Sequence, residues 1–297
     1  MQVACFDTST INRLMLDSES ERLTDILLER YDIYITAVNV AEIAKTPSAV
    51  KREQLRSFEK RLAKTYEPLD MPHDIVRKVT GALGRGETTV EFNVTDERKG
   101  LWVAMSEPHS VGEAERQELA AWTAELESSH RRAAERFRVR VTEIFADSKA
   151  SKPSTAGQVL RFYLKAPWSI LYALPSQVFK HETGRVLPLS RLDALLEAKP
   201  SVWPLFLGAY AFLFYAGSFW EGSHGPRNTT GLLDAWNSVY LPFCDVFVTH
   251  DRGQRRRDGG WRTKGQYDAL RVVNTLNSRK PRTKIYTWEQ FRAILAG

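Results

Sequence analysis

Cysteine is nearly absent from this chain. Cys5 and Cys244 are the only two in 297 residues, and neither belongs to a CxxC pair. That excludes a disulfide-stapled scaffold and a cysteine-rich zinc site. The six histidines (His73, His109, His130, His181, His224 and His250) include no HExxH pairing, so a zinc-hydrolase helix is missing as well. The opening MQVACFDTST lacks a basic segment followed by a long apolar one. No secretory signal is read there, and a cytoplasmic setting is expected. No glycine-rich phosphate loop follows a strand: Gly81, Gly84 and Gly86 crowd together without one and read as a plain turn. There is no internal repeat. One uncharged apolar stretch, Val202 to Trp220, reaches the lower range of a membrane span. Its aromatic content, Pro204, Gly208 and Gly217 fit a helix buried on all sides better, and no membrane partner is expected.

What is present is an ordinary globular composition with an uneven charge. Apolar residues make up 43% and charged residues 26%, enough for a sizeable core without covalent staples. The net charge is +6. Residues 251–297 hold 12 Lys or Arg against 4 Asp or Glu, whereas residues 1–250 hold 30 against 32. The whole positive excess therefore sits in the last 47 residues, densest over Arg252, Arg255, Arg256 and Arg257. Such a field attracts polyanions, nucleic acid above all, although a solvated loop would have the same composition.

Periodicity predicts strands at residues 2–6, 33–36, 245–249 and 284–286, with helices between and after them. Helices are expected from Thr8 to about Leu16 and over 19–30, 38–44, 49–66, 231–240, 266–277 and 287–295. Between about 69 and 200 the signals are helical, including an apolar stripe over 111–146 that contains no proline. The sheet-forming regions thus lie at the two ends of the chain. Cys5 and Cys244, in or beside strands, are expected to be reduced and buried.

Function gathers at the carboxyl ends of strands in an open parallel sheet. Asp7 ends the first apolar run, and Asp251 follows the DVFVTH run. Glu42 lies in the helix after the second strand, and Asp234 in the helix before DVFVT. Taken singly, each has a plain structural role available: a helix cap for Asp7, an Asx turn for Asp251, and surface helix positions for the other two. Taken together they predict four carboxylates converging on one sheet edge. Such a cluster repels itself and persists when a hard divalent cation neutralises it. Asp245, the first residue of the DVFVT run, reads instead as a strand-start residue.

FDTST at 6–10, AVNVAEI at 37–43, LLDAWNSVYLPFCDVFVTHD at 232–251 and KIYTWEQF at 284–291 resemble the PIN-like nuclease family. The resemblance covers roughly residues 1–66 and 228–297. It implies a three-layer α/β/α domain with a mostly parallel sheet, formed by residues 1–66 and 201–297 and interrupted by a mostly helical insertion over 67–200. It further implies a Mg²⁺- or Mn²⁺-dependent endoribonuclease acting on single-stranded RNA. Asp7, Glu42, Asp234 and Asp251 would hold the metal, and Thr8, Ser9 and Thr249 would support the carboxylates. Arg252, Arg255, Arg256 and Arg257, which follow the site, are read as contacts to the nucleic-acid backbone. The departure from the family is the 191-residue gap between Glu42 and Asp234. Substrate choice, a homo-oligomer contact and an inhibitor-protein site are the roles open to the inserted helices.

Two other readings stand beside this one. A haloacid-dehalogenase-type phosphatase would also place an Asp after its first strand. It needs a general acid two residues later, where this chain has Ser9. A non-catalytic nucleic-acid-binding protein on the same scaffold would use the arginines and leave the acids idle.

Overall fold

The computed structural model describes residues 1–63, 68–87, 90, 170–188, 192–215, 235–251, 253–255 and 261–297, with six isolated helical positions between 117 and 139. The apolar stripe over 111–146 otherwise lies outside the described residues. Four strands form one parallel sheet: β1 (Gln2–Phe6), β2 (Tyr31–Tyr34), β3 (Val246–Thr249) and β6 (Lys284–Thr287), in the order β2-β1-β3-β6. All three pairings are parallel, with Gln2 opposite Tyr31, Ala4 opposite Val246 and Val246 opposite Lys284. The two central strands are the most apolar. Ala4, Cys5 and Phe6 of β1 and all four residues of β3 are buried, as a sheet covered on both faces requires. The chain ends thus meet in one mixed α/β fold.

The first half supplies α1 (Thr8–Met15), α2 (Ser20–Arg30), α3 (Ala37–Ala44), α4 (Ala49–Leu62) and α5 (Pro72–Gly84). Further on come α6 (Ile170–Thr183), α7 (Leu192–Glu197), α8 (Val202–Tyr215), α9 (Gln266–Val273) and α10 (Trp288–Ala296). Four starts carry their own caps: Asp7, Thr36, Ser48 and Thr287 each accept from a backbone N–H of the first turn. In the middle of α10, Arg292 forks onto Asp17 at 2.7 and 3.1 Å and onto Glu19 at 2.7 Å, tying that helix to the α1–α2 turn. Phe291 lies edge-on to Phe6, with ring centroids 5.8 Å apart.

Several elements differ from expectation. Strand β2 begins at Tyr31 rather than Ile33, because its pairing with β1 starts at Tyr31. Ile35 and Thr36 then pair with Leu69: Leu69 N donates to Ile35 O and Ala37 N to Leu69 O, both at 2.8 Å. The Arg-rich segment, which showed no strand signal, carries an antiparallel pair, β4 (Gly253–Arg255) with β5 (Trp261–Lys264). Its polar residues and bulged register explain why no alternating pattern announced it. After Asn237 the chain tightens into a 3₁₀ turn, Ser238–Phe243, around Pro242 instead of continuing an α-helix. Gly81 and Gly84 are helical rather than in a turn; only Gly86, at φ +90°, ends the helix in the left-handed region.

The described helices of the 67–200 stretch are not separate from the sheet's core. Ile75, Val76, Val79 and Leu83 of α5 and Leu195 of α7 belong to the same apolar cluster as Phe6, Ile33 and Phe247. Trp203 of α8 donates its indole N–H to Thr80 Oγ1 at 2.9 Å. Residues Val202–Tyr215 form a helix that buries Trp203, Phe206, Tyr210 and Phe212, and among the described residues no helix is long and apolar enough to cross a membrane. Asp245 has a structural role: it accepts from Val3 N at 2.8 Å and pairs with Arg279. Cys5 and Cys244 are free thiols, both fully buried, and burial pushes the Cys244 thiol well above its ordinary range. Neither should react with a thiol reagent until the protein unfolds.

The packing of Gly84 in α5 against Thr183 in α6 yields a second test. A Cβ on Gly84 would fall 2.4 Å from Thr183 Cγ2. Thr183 cannot turn away freely, since its hydroxyl donates to Phe179 O at 2.6 Å and accepts from Arg185 N at 3.2 Å. Overpacking of about 1–3 kcal/mol should therefore outweigh the roughly 1 kcal/mol that alanine gains over glycine in a helix. Gly84→Ala is expected to lower the denaturation midpoint, and adding Thr183→Ser, which deletes Cγ2, to restore most of the loss.

Candidate active site at the carboxyl edge of the sheet

Asp7 is placed by its own backbone before its side chain acts. Its N–H donates to Val248 O at 3.0 Å, closing the β1–β3 ladder, and its carbonyl accepts from Ile11 N at 3.1 Å, starting α1. The carboxylate is thereby fixed at the turn where strand becomes helix. It accepts three hydrogen bonds: Thr10 N to Oδ1 at 2.7 Å, and Ser9 Oγ and Thr249 Oγ1 to Oδ2 at 2.7 and 2.6 Å. Asp7 is 6% exposed, and among the described residues no cation pairs with it. Burial raises its pKa above the ordinary carboxylate value, and the bonds from Thr10, Thr249 and Ser9 only partly oppose this.

Glu42 comes from α3, whose entry is set by a reciprocal cap. Thr36 Oγ1 accepts from Asn39 N at 3.2 Å, and Asn39 Oδ1 accepts from Thr36 N at 3.0 Å. The same Asn39 side chain donates to Phe6 O at 3.0 Å and to Thr8 Oγ1 at 3.2 Å. One buried amide thus locks the end of β1 to the start of α3. Glu42 lies one turn further along, and its carboxyl bonds the Thr8 side chain. Burial first, and the negative charge of Asp7 as well, push the Glu42 pKa up to about 7, against the pull of Thr8 and Lys45. Two carboxyls, one at the end of β1 and one from α3, therefore share one low-dielectric environment.

Asp251 is brought to the same edge but is engaged differently. Its Oδ2 accepts from Gln266 N at 3.0 Å, and its carbonyl from Tyr267 N at 3.0 Å. It thus caps α9 from outside, where Gly265 has no side chain to do so. Its own N–H donates to Thr249 Oγ1 at 3.1 Å, and the same hydroxyl oxygen lies 2.8 Å from the Gln266 side-chain amide. A hydroxyl has one proton. With that proton given to Asp7, Gln266 must turn its NH₂ toward Thr249, which fixes the amide's orientation.

The structure therefore brings Asp7 and Glu42 together and links Asp251 to Asp7 through Thr249. Asp234, Arg252, Arg256 and Arg257 lie outside the described residues; Arg255 lies on β4. Among the described residues no three His, Cys, Asp or Glu side chains stand close enough to hold a metal ion. Ser9 and Thr249 bond Asp7 while Thr8 bonds Glu42, which makes all three hydroxyl residues part of the site. Two buried residues passed unnoticed in the sequence, Asn39 and Gln266. The first had a signal, since Thr36 and Asn39 stand in capping-box spacing. The second had none, because only the fold brings position 266 to position 249.

A raised carboxyl pKa has a definite consequence for stability. The folded state favours the protonated Glu42, so its contribution is present below the ordinary value of 4.5 and is lost as pH rises through about 7. The full shift corresponds to about 3 kcal/mol, and the residue's partial exposure brings its share below that. Glu59, buried beside Arg56 and raised to about 8, adds a similar loss that ends higher. In EDTA, stability should fall between pH 4.5 and 8, and Glu42→Gln should remove the part of that fall that ends near pH 7. An unchanged pH profile in the variant would show that Glu42 stays well solvated. Compared with family models, with curated proteins and with solved structures, the chain finds no match, and its functional reading rests on the pairing of Asp7 with Glu42.

Proposed function

We propose that this protein is a divalent-metal-dependent nuclease that hydrolyses phosphodiester bonds in single-stranded RNA, built on a three-layer PIN-like scaffold. The observation that carries the reading is the Asp7–Glu42 pair: two mutually repelling carboxyls held by hydroxyls at the carboxyl edge of a parallel sheet. The strand order β2-β1-β3-β6 and the short motifs around both acids support it. So does the basic segment leaving β3 immediately after Asp251.

The donor set fits a hard cation. It consists of carboxylate oxygens, which suit Mg²⁺ or Mn²⁺. Asp7 Oδ1, with one hydrogen bond, retains a lone pair, and Glu42 has only Lys45 as a nearby counter-charge among the described influences on it. Asp234 would complete the set, with Asp251 joining through water while it caps α9. A bound divalent cation supplies water activation and neutralises charge on the phosphate. The chain's own contribution is orientation: Ser9 and Thr249 fix Asp7 Oδ2 so that Oδ1 faces one way, and Asn39 holds Thr8, which holds Glu42.

One feature favours the binding-only reading over catalysis: the Asp251 carboxylate is already bonded to Gln266 N. The phosphatase reading is less well supported, because Ser9, standing where a general acid is needed, donates to Asp7 instead. Activity separates these readings. Wild-type protein with Mg²⁺ or Mn²⁺ should cleave unstructured RNA and stop in EDTA, and Asp7→Asn should lower turnover at least 100-fold while RNA binding is retained. Metal should raise the melting temperature more at pH 8 than at pH 5, because only the ionised pair repels itself. Equal cleavage by wild type and Asp7→Asn would refute the mechanism.

A further inference from the structure

The end of β3 holds a second arrangement that neither acid uses. Arg13, in the last turn of α1, donates Nε–H to His250 Nε2 at 3.0 Å. His250 stands between Thr249 and Asp251, and its Nδ1 lies 3.2 Å from Glu289 Oε1 at the start of α10. An Nε2 that accepts a hydrogen bond places the ring proton on Nδ1, toward Glu289. Arg13 is therefore aimed by a histidine whose Nδ1 stands near Glu289 without hydrogen-bonding it. Arg13 itself is exposed and makes no ion pair among the described residues. With Nε occupied, both terminal nitrogens of the guanidinium remain available to the solvent side.

Arg292, on the neighbouring helix, is committed to Asp17 and Glu19, whereas Arg13 bonds a neutral ring nitrogen. An arginine oriented through Nε presents a planar pair of donors, the geometry that matches two phosphate oxygens. Arg13 is six residues past Asp7, about 9 Å along the helix axis, and helical side chains lean back toward the N-terminus. That distance suits a phosphate flanking the reacting one, not the reacting phosphate itself.

We infer that Arg13 is a backbone-phosphate anchor for the single-stranded RNA substrate, positioned by His250. The inference rests on the nuclease reading and extends it. The RNA backbone would run from the Asp7–Glu42 pocket past Thr249 and His250 toward the hairpin of β4 and β5, both departing from the end of β3. Arg13 reads no base, so its contribution is independent of sequence.

The test uses the full chain carrying Asp7→Asn, so that RNA stays intact, and a fluorescent single-stranded oligouridylate as probe. Arg13→Ala and Arg13→Gln should each weaken binding about tenfold and make the log–log salt dependence shallower by about 0.7. His250→Ala should weaken binding less, and His250→Gln, which keeps an acceptor, should recover part of that loss. With Asp7 intact, Arg13→Gln should raise KM about tenfold and leave kcat within a factor of two. Unchanged affinity and salt slope in both Arg13 variants, with wild type active, would overturn the anchor and leave the nuclease reading in place. If wild type binds RNA through Arg13 but never cleaves it, the nuclease reading falls and the phosphate contact stands. If wild type neither binds nor cleaves, both fall.

Discussion

The burial of one carboxylate organises this end of the molecule. Asp7 sits where β1 hands over to α1, and a charge placed there must be satisfied from several directions at once. Thr10 N belongs to the helix, Ser9 to its first turn, and Thr249 to the neighbouring strand. The Thr249 hydroxyl is the critical member, because it joins segments that are 242 residues apart in the chain. That same oxygen accepts from Asp251 N and faces Gln266, so the start of α9 depends on it too. Removing Asp7 would leave the hydroxyls of Thr249 and Ser9 without their acceptor, a cost that falls on both chain ends.

A fold maximising its own stability would not place Glu42 beside Asp7. Both carboxyls are raised by burial, and their mutual repulsion adds to the shift on Glu42. Asn39 makes the arrangement rigid by bonding Phe6 O, Thr8 and the Thr36 cap together. The protein thus spends a buried amide and three hydroxyls on holding two like charges close. Elsewhere acids are matched with cations: Asp17 with Arg292, Asp245 with Arg279, Glu182 with Arg77. The contrast is the physical argument for a function at this pocket, since unmatched buried charge is retained where chemistry uses it.

Much of this was readable from local pattern. The central strands β1 and β3 are continuous apolar runs, and Asp7 follows one as a cap-type residue before a helix. Their parallel pairing and the gathering of acids at their carboxyl ends followed from the alternation of strand and helix. The hidden parts are non-local. Strand β2 started at Tyr31 because Gln2 pairs there, which no window around Tyr31 can report. The hairpin at 253–264 has no alternating apolar face, so nothing marked it as strand. Gln266 gained its role only when α9 folded against β3. The same holds for the partition of the chain: α5 and α7 lie in the stretch read as an insertion, yet Val79 and Leu195 pack into the core that holds Phe247.

The residues at the end of β3 alternate in their duties, and the alternation explains how one short strand can serve several structures. Thr249 turns inward to Asp7. His250 turns outward to Arg13 and Glu289. Asp251 reaches across to the first turn of α9. A strand's period of two sends successive side chains to opposite faces, so α1 and α10 are contacted by one residue while Asp7 is held by its neighbour. Shifting β3 by one position would exchange these roles and place a histidine where the buried hydroxyl is needed. Val248 guards against that shift, because its carbonyl accepts from both Asp7 N and Thr10 Oγ1, and those bonds form in a single register. The register of one four-residue strand thereby fixes Asp7, the arginine beside it and the helix that follows.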